Sequence, residues 1–263
     1  MKKSIAFLVV VDLIFLLVAS VPALISGWYS EVVYYALYAG LIALAVLFVR
    51  REKTSLRLSA LPKRPLHALA LFAPAMLLII GISFLISTLL ALLNKSNATD
   101  VSGPLVLELL RHALLPALFE EMLFRYVPVR LLGGRSPRAA IVVSSVMFAL
   151  VHLSLFQIPY ALFAGAVLAY ITVLTGSVLP SVLLHFANNA VSVICMREPN
   201  FAPCVTLIVL AAVSALSAVY IVAHRRDYAK TLKEAFSGER VGFSPEITIA
   251  AGVCLCAALL ELR

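Results

Sequence analysis

Apolar runs of bilayer-crossing length follow one another almost without a break, and this limits the possible folds more than any other feature of the chain. A helix of about 20 apolar residues covers the hydrocarbon core. Runs of that order stand at about 4–26, 31–49, 66–93, 105–132, 139–155, 158–175, 178–196, 203–223 and 246–261. Of the 263 residues, 63% are hydrophobic and 13% charged, whereas a soluble domain carries roughly 25% charged residues. The apolar excess is spread over the whole length, so no soluble domain of useful size remains. Lipid offers no partner to an exposed backbone group, so such segments must be helical. The expected fold is all-α: a polytopic transmembrane helical bundle of eight or nine spans, a single integral-membrane domain over 1–263. Short joints at Gly27–Ser30 and Ser154–Gln157 leave the count between those two numbers.

Charge orients the spans. With the N-terminus inside, sixteen of the 21 Lys and Arg residues fall on one side. Lys95, Arg197 and Arg263 fall on the other, and Arg111 and Arg125 lie within a span. This asymmetry follows the positive-inside rule and favours nine spans, with a cytoplasmic N-terminus and residence in the cell membrane. The net charge of +8 therefore suits topology and anionic lipid. Nucleic acid is not an expected partner, because the basic residues are scattered over several loops. Met1-Lys2-Lys3 before an apolar run imitates a signal peptide, but the run outlasts a usual h-region and reads as an uncleaved first span. The first three runs hold almost no polar groups and suit scaffold and lipid contact. Residues 224–245 have a basic, helix-forming character that suits the inner interface. Cys195, Cys204, Cys254 and Cys256 show no metal-ligand spacing.

Polarity concentrates between 105 and 196. Charged groups at bilayer depth are costly and usually functional. Glu121 and Arg125, four residues apart, share a helix face and can pair. Glu120 is turned about 100° from Glu121, which gives the two carboxylates different directions. Pro116 removes a backbone hydrogen bond just before them, and a local kink is expected there. His152 closes the Phe148–His152 run, and His185 and Asn189 again share one face. Glu108, Arg111 and His112 lie nearer the outer end, where solvated or structural roles are expected.

If Glu120, His152, His185 and Asn189 converge, they unite a carboxylate base, two imidazoles and an amide donor. That inventory suits water activation with stabilisation of a tetrahedral oxyanion. It equally suits a divalent metal site, such as zinc held by Glu120, His152 and His185. At 1.5 Å per helical residue, Glu120 and His152 lie about 18 and 20 Å from the inner end of their spans, and His185 about 10 Å. On that count His185 is the shallower group.

These residues resemble the motifs of the CPBP family, the CAAX-processing and bacteriocin-processing intramembrane proteases. Glu120-Glu121-Met-Leu-Phe-Arg125 is similar to its Glu-Glu-x-x-x-Arg motif, Phe148-x-x-x-His152 to its second motif, and His185-Phe-Ala-Asn-Asn189 to its third. Gly165 and the Leu174–Pro180 turn also look typical. The resemblance covers about 105–196, which is the expected catalytic core. It implies Glu120 as general base with His152 assisting, and His185 and Asn189 as oxyanion donors. It further implies structural or supporting roles for Glu121 and Arg125, and a packing role for Phe148. The family includes proteases described as metal-dependent and as metal-free glutamate enzymes, so the resemblance leaves the cofactor open. One departure is Tyr126, where the family often has Gly. The activity implied is cleavage of a membrane-associated protein or peptide, with prenylated CAAX proteins the best-known substrates. A non-proteolytic immunity or scaffold role in the same family is the alternative. A proton-coupled transporter is a third class, against which the lack of an inverted repeat counts.

Overall fold

A computed structural model describes residues 2–24, 29–52, 56–92, 101–154, 157–200 and 202–238. Among these residues all regular structure is helical. In chain order the helices are α1 (Lys2–Ala19), α2 (Val21–Leu24), α3 (Tyr29–Arg51), α4 (Pro65–Leu92), α5 (Leu105–Leu109), α6 (Leu115–Glu121), α7 (Val127–Leu132), α8 (Pro137–Leu150), α9 (Gln157–Thr175), α10 (Leu179–Arg197), α11 (Ala202–Ala223) and α12 (Arg225–Ala235). Eight of the nine apolar runs coincide with helical stretches. The ninth, near 246–261, lies outside the described residues, as do Cys254 and Cys256.

Among the described residues, five helices, α3, α4, α9, α10 and α11, are long and apolar enough to cross a membrane. α11 shows what such a helix requires. Ile208, Leu216 and Val219 are each more than two-thirds exposed, a surface that water would penalise and that acyl chains solvate at no cost. The chain is an integral membrane protein with an all-helical, polytopic architecture.

The fourth apolar run is not a uniform α-helix. Two π segments, Leu110–Leu114 and Met122–Tyr126, divide it into α5, α6 and α7. Each π segment ends two residues before a proline, Pro116 or Pro128. A proline lacks the N–H that would bond the carbonyl four residues back and its ring crowds that carbonyl. A wider turn relieves the conflict. At Pro128 the deprived carbonyl is that of Phe124, and Ser144 Oγ of α8 donates to it. The kink expected at Pro116 is thus one of two π turns bracketing Glu120 and Glu121.

The chain sorts into two compact units interleaved in sequence. The first joins the described residues within 1–57 and 122–166 with residues 236–238. Here α1 buries Ile5, Leu8, Val11, Phe15 and Val18 at three- and four-residue spacing. Phe15 meets Tyr38 of α3 at 4.8 Å and the edge of Phe124 at 5.4 Å. Asp12, 2% exposed, is a polar exception on that face. Pro137 opens α8 behind the Ser136 cap, whose Oγ accepts from the Ala139 N–H at 3.1 Å. Tyr126, the departure from the family pattern, has a structural task. Its hydroxyl accepts from Arg130 at 2.7 Å, and Arg130 Nε donates to the Leu56 carbonyl at 2.8 Å.

The second unit joins residues 58–121 and 167–235. α4 packs along α11, and Ala68, Ala75 and Met76 of α4 meet Leu168, Ile171 and Leu184 in its core. Small residues on α4 allow close helix approach without a hydrophobic driving force. The 58–64 segment is clasped to the turn between α9 and α10. The N–H groups of Ser59 and Lys63 donate to the carbonyls of Gly176 and Thr175, both at 2.8 Å. Ser177 Oγ donates to the Ala60 carbonyl at 3.0 Å. Gly176 has φ +63°, a left-handed conformation that glycine adopts without steric cost. The amphipathic α12 buries Tyr228, Thr231 and Ala235 and exposes Arg225, Arg226, Lys230 and Lys233. Tyr228 donates to the His67 carbonyl at 3.0 Å. Burial, with Tyr220 and Tyr170 nearby, pushes its phenol up to about 12, so the donor keeps its proton.

Candidate active site

Glu120 and Glu121 close α6, and α6 packs against α10. This pairing sets both carboxylates around one imidazole. Glu121 Oε1 lies 2.9 Å from His185 Nδ1, while Glu120 Oε2 lies 3.7 Å from His185 Nε2. The 100° turn between neighbouring residues becomes a clamp, with one carboxylate on each nitrogen. Glu121 is fully buried, and His185 is 7% exposed. The Glu120 side chain retains 23% exposure, so of the two carboxylates it is the one that reaches solvent. A carboxylate only accepts hydrogen bonds, so Nδ1 carries the proton and Nε2 is turned toward Glu120. The 3.7 Å separation is too long for a direct hydrogen bond and suits a shared water.

The level of His185 differs from the sequence estimate. Counting 1.5 Å per residue placed it shallower than Glu120, yet the two face each other. The π segment Met122–Tyr126, between Glu120 and the inner end of its run, accounts for a small part of this, because five residues in a π turn advance the chain less than five in an α-helix.

Asn189 stands one turn beyond His185 on α10. Its Oδ1 accepts from Asn188 Nδ2 at 3.2 Å, and the carbonyl of Asn188 accepts from Ser192 Oγ at 3.1 Å. With the oxygen engaged, the NH2 of Asn189 is the end left to donate. The sequence reading passed over Asn188, which is buried at 7% exposure. The adjacent Asn pair in the third motif was the available signal.

The first unit assembles a second set. Arg125, fully buried, places its guanidinium 4.0 Å from the Phe148 ring centroid, a cation–π contact in a desolvated setting. Phe148 meets the His152 ring edge-on at 4.9 Å. His152 follows the end of α8, and its Nδ1 donates to the Phe148 carbonyl at 2.7 Å, leaving Nε2 as the acceptor. Leu153 then takes φ +50°. This is an uncommon conformation for a residue with a side chain, of the kind that gathers at functional sites. Phe148 therefore does more than fill space, since it links the arginine to the histidine. Glu108 and His112 form their own pair at 3.1 Å.

A zinc-type centre was the alternative use of Glu120, His152 and His185. Among the described residues, no three His, Cys, Asp or Glu side chains are grouped to hold a metal ion. With Glu121 on Nδ1 of His185, Nε2 and Glu120 are the two donors here that face one another, one short of the three protein ligands of a catalytic zinc.

Residues 102–191 match the family described as Rce1-like, type II CAAX prenyl endopeptidase Rce1-like. No curated protein and no solved structure matches the chain. The matched region holds all three motifs, both carboxylates, both histidines and Asn189, and the family supports a CAAX intramembrane-protease kind of function. Over residues 102–191, the segment that builds this site is similar to the Rce1-like type II CAAX prenyl endopeptidase family.

Proposed function

We propose that the protein is a glutamate-type intramembrane endopeptidase that hydrolyses a peptide bond in a membrane-associated protein or peptide. A prenylated CAAX-type terminus is the substrate class that the family name points to. The observation that carries this reading is the His185 ring between Glu121 at 2.9 Å and Glu120 at 3.7 Å. Such a clamp costs more as a packing device than an apolar substitute would, and it has the geometry of a base beside an oriented imidazole.

In this mechanism Glu120 takes a proton from water as the oxygen attacks the scissile carbonyl. His152, assigned through its motif and carrying an accepting Nε2, assists that transfer. The carbonyl π electrons move onto oxygen, where Asn189 Nδ2–H and the protonated Nε2 of His185 meet the negative charge. Glu121 balances the imidazolium and holds its orientation. Collapse of the intermediate expels the amine, which takes the proton held by Glu120, giving a carboxyl and an amine from one peptide bond and one water. Arg125 and Phe148 position His152. The proposed catalytic region is 105–196, in a protein of the cell membrane with its N-terminus in the cytoplasm.

The test is turnover of a prenylated CAAX peptide by purified protein. Glu120→Gln should lower kcat by about 10²–10⁴-fold without loss of folding, and wild-type activity should withstand EDTA. Undiminished turnover by Glu120→Gln removes the assigned base. Loss of wild-type activity in EDTA, restored by a divalent ion, replaces the glutamate mechanism by a metal-dependent one.

A further inference from the structure

We infer that the second unit holds a binding site for one anionic phospholipid, with an acyl chain in an apolar pocket and the headgroup phosphate on Lys63 and Arg64. The pocket, about 280 Å³, is lined by Pro62, Pro65, Leu69, Phe72, Pro180 and Leu183 among others. An apolar cavity of about 150 Å³ already accommodates benzene, so this one has room for a stretch of acyl chain. Three of its rim residues are prolines, whose fixed φ keeps the rim from closing over the space.

The place of the pocket identifies the occupant. Membrane-crossing helices α4 and α10 begin at Pro65 and Leu179, and α9 ends at Thr175. The pocket therefore straddles a boundary between headgroups and hydrocarbon. Leu69, Phe72 and Leu183 lie one or two turns on the hydrocarbon side, and Leu69 and Leu183 are 66% and 51% exposed. Lys63 and Arg64 sit between the rim prolines Pro62 and Pro65 and are both exposed.

Lys63 is held in readiness. Its N–H is bonded to the Thr175 carbonyl at 2.8 Å. Its stem lies across Gly176, where Cδ and Cε come within 3.5 Å of the position a Cβ would occupy. The stem is thus laid on backbone while the ammonium remains at the edge. Tyr228 docks α12 on the first turn of α4 through the His67 carbonyl, which brings the exposed Arg225 and Arg226 toward the same end. Asp227 is the acidic group that faces His67 there. A cationic rim over a lipid-facing apolar slot selects a phosphate headgroup with a hydrocarbon tail. A zwitterionic lipid fills the slot equally well but gains less from the rim.

Native mass spectrometry of the full-length protein, with equal phosphatidylglycerol and phosphatidylcholine in the micelle, tests the site. Wild type should retain phosphatidylglycerol preferentially. Lys63→Gln with Arg64→Gln should cut that preference by roughly ten- to thirty-fold, as expected for two surface cations. Leu183→Trp should lower retention of both lipids several-fold while keeping the preference. Melting temperatures check folding, and if the double variant fails to fold the Leu183→Trp arm decides. Equal retention of the two lipids by wild type overturns the proposal. So does unchanged retention in Leu183→Trp, or displacement of phosphatidylglycerol by inorganic phosphate alone, which would mark a free-anion site. None of these readouts depends on peptidase activity, so the lipid site stands or falls apart from the hydrolase reading.

Discussion

Glu121 Oε1 and His185 Nδ1 lie 2.9 Å apart with both side chains almost wholly withdrawn from solvent. Adjacent carboxylates are not redundant in this arrangement. Glu121 holds the Nδ1–H edge of His185, and Glu120, partly exposed, is left for chemistry.

Replacing Glu121 by Gln should therefore damage catalysis without removing a reactive group. The neutral amide can still accept from Nδ1–H but cannot balance the imidazolium that the proposed mechanism places at His185. By analogy with triads in which the orienting carboxylate becomes an amide, kcat should fall by on the order of 10²-fold or more. KM should change little. Steady-state kinetics on folded protein check this, and unchanged kcat would mean that the carboxylate is only structural.

Asn189→Ala should lower kcat by about 10²–10³-fold, the usual effect of deleting an oxyanion donor. Asn188→Ala should act through Asn189, with a loss of about fivefold, in line with one hydrogen bond worth about 1 kcal/mol. If Asn188→Ala is silent while Asn189→Ala is not, the amide orientation does not depend on the 3.2 Å contact.

Ser144→Ala should cost roughly 1–3 kcal/mol, because the Phe124 carbonyl then lacks the donor that Pro128 cannot supply. The measurement is thermal or denaturant unfolding in detergent. A variant as stable as wild type would show that the π segment satisfies Phe124 by itself.

Gly165→Val should be destabilising by about 1–3 kcal/mol and should also reduce turnover. A Cβ at this position would stand 3.1 Å from Ser145 Cα and 3.3 Å from Phe148 Cδ1, so the Phe148 ring that bridges Arg125 and His152 must move. Stability and kcat measured on the same preparation separate the two effects. A Val variant equal to wild type in both would refute the close-packing account.

Much of the architecture was legible in hydropathy. The runs beginning near 31, 66, 158, 178 and 203 each became a helix of crossing length, because lipid leaves the backbone no alternative to internal hydrogen bonding. The motif residues were legible for a related reason, since a carboxylate pair, an arginine and two histidines do not persist in apolar segments by default. What escaped was position within the helix. The spacing of Glu121 and Arg125 could be counted, but not the π turn that begins at Met122, because π hydrogen bonding follows from how Pro128 and Ser144 accommodate one another. Asn188 escaped because, from sequence, it was one more polar residue beside a motif asparagine.

Composition and periodicity alone determined that this chain is helical, membrane-embedded and supplied with costly polar groups, since those properties depend only on solvation and backbone hydrogen bonding. Tertiary packing decided which nitrogen of His185 faces which glutamate, and which end of Asn189 is left to donate. It also decided that Phe148 lies between Arg125 and His152. Those outcomes depend on directions between side chains on separate helices, and helix contacts set such directions while the order of residues along one helix does not.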